Sequence, residues 1–186
     1  MKIFFDTEFT GLHKNTTLIS IGMIAEDGKT FYAEFTDYNE KQCNDWILNN
    51  VINNLKYNDK EDWCCNYDND HLEVVGAKAY IRLQLKQWLL SNYDYIELVS
   101  DCCHYDMVLF IDIFGGAFDI PSQICPACHD INQDIARYYN FSEIEAFDYS
   151  REKILENRYI SIDGSKHNSL YDAKVIKAIY ESICQL

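Results

Sequence analysis

Apolar positions along this chain change their period, and the period divides it into elements. "KIFFD", residues 2–6, is nearly continuous in apolar side chains and predicts a buried strand. Residues 17–35, "TLISIGMIAEDGKTFYAEF", predict two further strands joined at Asp27-Gly28, a dipeptide suited to a tight hairpin turn. The spacing then lengthens. Trp46, Ile47, Val51, Ile52 and Leu55 fall at helical intervals within 43–56. Residues 57–73 are acidic, rich in Asn and Asp, and are read as a solvated loop. Helical spacing resumes over 75–91, a short strand follows over 95–100, and a helix over 103–114 is stopped by Gly115-Gly116. Further helices are predicted near 128–140 and 169–184, with no internal repeat or low-complexity tract. Three strands followed by alternating helices and a strand predict an α/β fold, a mixed sheet between helical layers.

The 186 residues suit one domain with a sizeable core. Two prolines and seven glycines leave little room for long linkers. No apolar run reaches the length that crosses a bilayer, and the chain opens on a strand-like segment rather than a signal pattern. The expectation is an intracellular, cytoplasmic protein. Its eight cysteines are then expected as reduced thiols, and the adjacent pairs Cys64-Cys65 and Cys102-Cys103 make a poor disulfide framework. "CPACH", residues 125–129, matches a minimal haem-attachment pattern and offers Cys125, Cys128 and His129 to zinc. Without a second pair the motif is weak, and residues 128–139 read equally as the start of an amphipathic helix, with Cys125 and Cys128 structural.

A net charge of −14 opposes binding to a polyanion. The charge is uneven, however. Residues 37–73 carry nine Asp/Glu against three Lys/Arg, whereas residues 137–186 carry eight against seven. A site for phosphates is expected near the C-terminal third.

Candidate chemistry lies in the acids at element ends. In "FFDTEFTGL", residues 4–12, Asp6 and Glu8 are two apart on a strand and share a face. Paired carboxylates repel unless a proton or cation lies between them. In "LVSDCCHYDMVLF", residues 98–110, a strand runs into a helix with Asp106 near its first turn and Asp101 as an alternative N-cap. In "KHNSLYDAKVIKAIYESI", residues 166–183, one apolar helical face follows a cap at Asn168 or Ser169. Asp172 then falls in the first turns and His167 just outside. Taken singly, each has an ordinary structural explanation as a cap or dipole partner. Together they fit a two-metal phosphodiester hydrolase. Hard oxygens hold Mg²⁺ or Mn²⁺, two such ions roughly 3.5–4 Å apart clamp an in-line displacement, and a histidine takes the proton of the attacking water.

In order and separation, "FDTEFTGL", "HYDMVLF" and "HNSLYDA" resemble the three motifs of the DEDDh-type 3′–5′ exonucleases of the ribonuclease H-like superfamily. The closer likeness is to the small bacterial, mycobacterial-type 3′–5′ exoribonuclease branch. The resemblance implies a ribonuclease H-like fold, a central mixed sheet with an antiparallel second strand, flanked by helices, across residues 1–186. It implies Asp6, Glu8, Asp106 and Asp172 as ligands of two divalent cations, Mg²⁺ or Mn²⁺, and His167 as general base. It implies that the backbone through Thr10 and Gly11 meets the 3′-terminal nucleotide and that Leu12 packs on its base. Phe9 replaces a small hydroxyl residue, and His104 replaces an Asn, of many relatives. The implied substrate is single-stranded RNA or DNA with a free 3′ end, RNA favoured, and a homodimer is compatible with the family. A dead nuclease fold that only binds nucleic acid would lack a ligand or the histidine; all five positions are filled.

Overall fold

The computed structural model describes residues 1–59, 61–67 and 70–184. Seven strands form one sheet in the order β4-β5-β3-β2-β1-β6-β7. β1 (Lys2–Phe9), β2 (Leu18–Ala25) and β3 (Thr30–Phe35) run antiparallel in succession, and Gly28 takes φ 93° in the β2–β3 turn. β6 (Ile96–Ser100) pairs parallel to β1, and β7 (Ile124–Asp130) parallel to β6. On the other side β5 (His71–Gly76) pairs parallel to β3 and carries antiparallel β4 (Trp63–Tyr67). The mixed sheet with an antiparallel second strand is as expected.

Alternation along β1 sends Ile3 and Phe5 to one core and Phe4 to another. Ile3 and Phe5 meet α2 (Lys78–Asn92) and α3 (Cys103–Phe114). Phe4 joins the core built with α4 (Ile131–Tyr139), α5 (Glu143–Asp148), α6 (Arg151–Asn157) and α7 (Ser169–Cys184). Asp6 and Glu8 continue the Phe4 side. A smaller cluster seats α1 (Asp45–Asn50) through Ile47 and Val51 on Ile19. Among the described residues no helix is long and apolar enough to cross a membrane.

Four sequence expectations are corrected. Residues 57–73 contain β4 and the first residues of β5. Val75 and Gly76 belong to β5, so α2 begins at Lys78. The helix over 43–56 is only α1 followed by a 3₁₀ turn at Ile52–Asn54. "CPACH" is strand, and α4 starts after it. β4 and β7 are the outermost strands, with one neighbour each. Their pairing, rather than an apolar run, defines them, and an edge strand tolerates Pro126.

Candidate active site

Directly opposite Asp6 on β2 lies Gly22, and opposite Glu8 lies Ser20. A Cβ at Gly22 would sit 2.2 Å from Leu170 N and 2.3 Å from Leu170 Cα. Only glycine lets the start of α7 rest on the sheet here. The buried hydroxyls of Ser20 and Ser169 meet at 2.9 Å and fix the same contact. Asn168 caps α7, accepting from Tyr171 N–H at 3.2 Å. The sequence left the cap open between Asn168 and Ser169; Ser169 instead faces Ser20.

This seating carries Asp172 over the two acids of β1. His167, just before the helix, adopts φ 64°. Its backbone N–H donates to Asp172 Oδ2 at 2.8 Å. Its ring stands edge-on to Trp46, centroids 5.0 Å apart, and its Nδ1 lies 3.8 Å from Glu8 Oε1. Flanking contacts hold the segment: Asn54 Nδ2 donates to Lys166 O and Asn168 Nδ2 to Asn54 O, each at 3.1 Å.

Asp106 arrives from α3. It is buried, accepting from Thr7 Oγ1 at 2.6 Å and from Ser100 Oγ. Asp101 does not cap α3, which begins without a side-chain cap. Its Oδ2 accepts from Arg151 Nε at 3.2 Å. Ligand atoms of Glu8, His167 and Asp172 lie within 4.8 Å of one another, and so do those of Asp6, Asp101 and Asp106.

Burial raises the affinity of these acids for protons. Asp6 is pushed well above the usual carboxylate range, first by burial and then by Asp106, Asp172, Glu8 and Asp101. Glu8 is pushed up to about 8, by burial and then by Asp172, Asp106 and Asp101. Asp106 and Asp172 are each pushed up to about 7, mainly by burial, although the hydroxyls of Ser100 and Thr7 and the His167 N–H pull the other way. Asp6 Oδ2 is buried without a hydrogen-bond partner. A buried carboxylate oxygen left bare, surrounded by other hard oxygens, is a donor set that fits a divalent cation.

The sign of the pH dependence follows. Raised values mean that the folded, cation-free protein retains protons that the unfolded chain releases. That stabilisation is present below the unfolded carboxylate value, about pH 4, and is lost as pH rises through 7–8. In chelator the melting temperature is therefore expected to fall between pH 5.5 and 8. Mn²⁺ is expected to raise it more at pH 8, where fewer protons compete. A melting series over that range checks both; a melting temperature that climbs with pH in chelator would show the acids are not mutually strained.

The Phe9–Leu12 segment is partly engaged by its own loop. Phe9 stacks on Tyr105 at 5.4 Å and 13°. Thr10 is buried; its hydroxyl donates to Gln42 Oε1 at 2.6 Å and its N–H to Thr17 O at 3.0 Å. Gly11 N–H donates to Thr16 Oγ1 at 3.1 Å. Leu12 is 73% exposed. The cleft, ≈ 390 Å³, runs from Phe9 over the acids to a far wall that includes Phe147, Tyr149 and Arg151.

The cysteine motif lies apart from the cleft. Cys128 Sγ contacts Cys103 Sγ at 3.2 Å, and His129 Nε2 pairs with Asp134. Among the described residues no cluster of three ligands includes Cys125, Cys128 or His129. Sequence reasoning missed Arg151, Trp46, Ser20 and Gly22. A glycine inside an apolar strand was a readable sign of close backbone approach.

This fold is that of the DEDDh exonucleases, with a ribonuclease H-like sheet. The chain is similar to the nuclease domain of 3′hExo, a DEDDh family member bound to rAMP. The TM-score is 0.65 at 17% identity, covering 99% of this chain and 91% of that one. It is similar also to S. pombe Pop2p in its Mg²⁺- and Mn²⁺-bound form, with a TM-score of 0.65 at 15% identity, covering 98% and 82%. The chain belongs to the 3′–5′ exoribonuclease Rv2179c-like domain family, which it matches over residues 1–184. It is 28% identical to the 3′–5′ exoribonuclease Rv2179c of Mycobacterium tuberculosis over 134 residues, 72% of this chain and 73% of that protein. It is a 3′–5′ exonuclease.

Proposed function

We propose that residues 1–186 act as a single exonuclease domain that releases 5′-mononucleotides from the free 3′ end of single-stranded RNA. Two divalent cations, Mg²⁺ or Mn²⁺, serve the reaction. The observation that carries this reading is the bare, buried Asp6 Oδ2 among the other acids of the cleft. Support for the metal comes from Pop2p, solved with Mg²⁺ and Mn²⁺. Support for RNA comes from the Rv2179c-like family and from 3′hExo, solved with rAMP.

Asp6, Glu8, Asp106 and Asp172 are the residues that would hold the cations. When bound, such ions neutralise charge on the phosphoryl oxygens and activate water at neutral pH. The chain supplies the rest. Leu12 packs on the terminal base, and the Phe9–Tyr105 stack shapes that side of the cleft. His167 accepts the proton of the attacking water at a ring nitrogen as the new P–O bond forms. The P–O3′ bond breaks, O3′ takes a proton from solvent so that the shortened strand leaves with a 3′-hydroxyl, and the mononucleotide keeps the 5′-phosphate. Burial, followed by Lys166, holds the His167 imidazole below its ordinary value, with Glu152 opposing. A neutral ring is thus available as base at pH 7. The sequence alone leads one to expect that neighbouring carboxylates raise this value and bound cations lower it; without cations, burial already outweighs the one carboxylate that raises it, Glu152.

Matched 5′-labelled RNA and DNA single strands test the reading. RNA is expected to shorten stepwise with Mg²⁺ or Mn²⁺, to stay intact in chelator, and to resist when its 3′ end is phosphorylated. Hydrolysis in excess chelator, or cuts within a circular strand, would refute it. Equal or faster loss of DNA would transfer the substrate assignment to DNA.

A further inference from the structure

We propose that Asp101 is a fifth carboxylate of the cation site, outside the three motifs, which ligates the cation held between Asp6 and Asp106 and is oriented for it by Arg151. The inference rests on the cation-dependent reading above and adds a residue to it.

Asp101 had an ordinary alternative as the cap of α3, but α3 has no side-chain cap. Its carboxylate turns instead into the cleft, where a ligand atom lies within 4.8 Å of those of Asp6 and Asp106. The independent sign of a ligand is again Asp6 Oδ2, fully buried, unpartnered and in this same group. Asp101 lines the same cleft as Asp6, Glu8, Asp106 and Asp172.

A second alternative is that Asp101 exists to anchor Arg151. The guanidinium does not depend on it. Arg151 Nη1 donates to Ala146 O and Tyr149 O, each at 2.9 Å, and Nη2 to Asn132 Oδ1. Three acceptors on α4, α5 and the α5–α6 turn fix the planar fork before Asp101 is counted. Only Nε is given to Asp101 Oδ2. A carboxylate has about four lone-pair positions. One bond from a rigid donor sets its orientation and leaves capacity for a cation. Asn132 Nδ2 also holds Asp101 O at 2.7 Å, which fixes the backbone below.

The test counts bound Mn²⁺ by the electron paramagnetic resonance of free ion, on full-length protein without substrate. Wild type is expected to bind two ions. Asp101→Asn keeps an oxygen for Arg151 Nε, so its melting temperature in chelator is expected to stay within a few degrees of wild type. One of its two ions is expected to bind at least about 10-fold more weakly, since loss of even an outer-shell partner of a metal ligand costs about 10–100-fold. Asp101→Glu, which keeps the charge on a longer arm, is expected to recover part of the affinity and covers the case in which the Asn variant folds poorly. Asp101→Asn titrating as wild type would overturn the proposal and leave Asp101 as a structural partner, with the nuclease reading intact. Wild type binding no Mn²⁺ would overturn both.

Discussion

Asp6→Asn is expected to lower turnover by more than about 10³-fold while leaving the protein folded and more heat-stable in chelator. Asp6 carries the buried, unpartnered oxygen of the site, and its proton affinity is raised by every other acid there. It shares one ligand group with Asp101 and Asp106, while Glu8, two residues on along β1, belongs to the other, so Asp6 is the acid that would lie between the two. An amide oxygen ligates more weakly than a carboxylate and carries no charge. Loss of several kcal/mol of charge stabilisation in the transition state corresponds to factors of about 10³ or more. Without cations the balance reverses. The substitution removes one mutually repelling carboxyl and gives Oδ2's place a donor with acceptors close by, so the chelated protein gains stability. A cleavage assay and a melting curve on one preparation check both signs. Turnover near wild type would remove Asp6 from the site; a large fall in melting temperature would show that its role is structural.

His167→Ala is expected to cut turnover by about 10²–10⁴-fold, the usual contribution of a general base, with much less change in substrate affinity. Its backbone lies at φ 64°, where alanine is strained and asparagine is tolerated. His167→Asn is therefore the cleaner variant, and it keeps the N–H that bonds Asp172 Oδ2. In wild type the ascending limb of the pH–rate profile is expected below the ordinary histidine value of about 6.5, because burial lowers it. The base works deprotonated, so rate rises with pH through that limb and then levels. Both variants are expected to lose or displace it. A variant that melts lower but keeps the wild-type rate and limb would assign His167 to capping alone.

The elements that local pattern could define were read correctly where neighbours in sequence are neighbours in space. The β2–β3 hairpin, α3 over Cys103–Phe114 and α7 over Ser169–Cys184 follow from turn chemistry and from one apolar helical face. β4, β5 and β7 were missed, β5 being divided between an expected loop and an expected helix. β5 and β7 owe their strand state to pairing with the distant β3 and β6, β4 in turn leans on β5, and WCCNY or ICPACHD carries too little apolar alternation to reveal a strand. α5 and α6 are short and were missed for the same lack of a sustained period.

For the site, the sequence determined which residue types are present and in what order: two acids at strand spacing on β1, an acid one turn into α3, and a histidine five positions before an acid on α7. Local periodicity settles such facts, because it decides which side chains share a face. Only the tertiary structure decided that these acids meet. It did so through contacts no local pattern encodes: Gly22 under Leu170, Ser20 on Ser169, and Thr7 with Ser100 on Asp106. It also moved Asp101 from a helix cap to the cleft and set Arg151 behind it. The reason is physical. A buried carboxylate's proton affinity, and its fitness to hold a cation, depend on the distance to other charges and on exclusion of water, and packing between distant segments creates both.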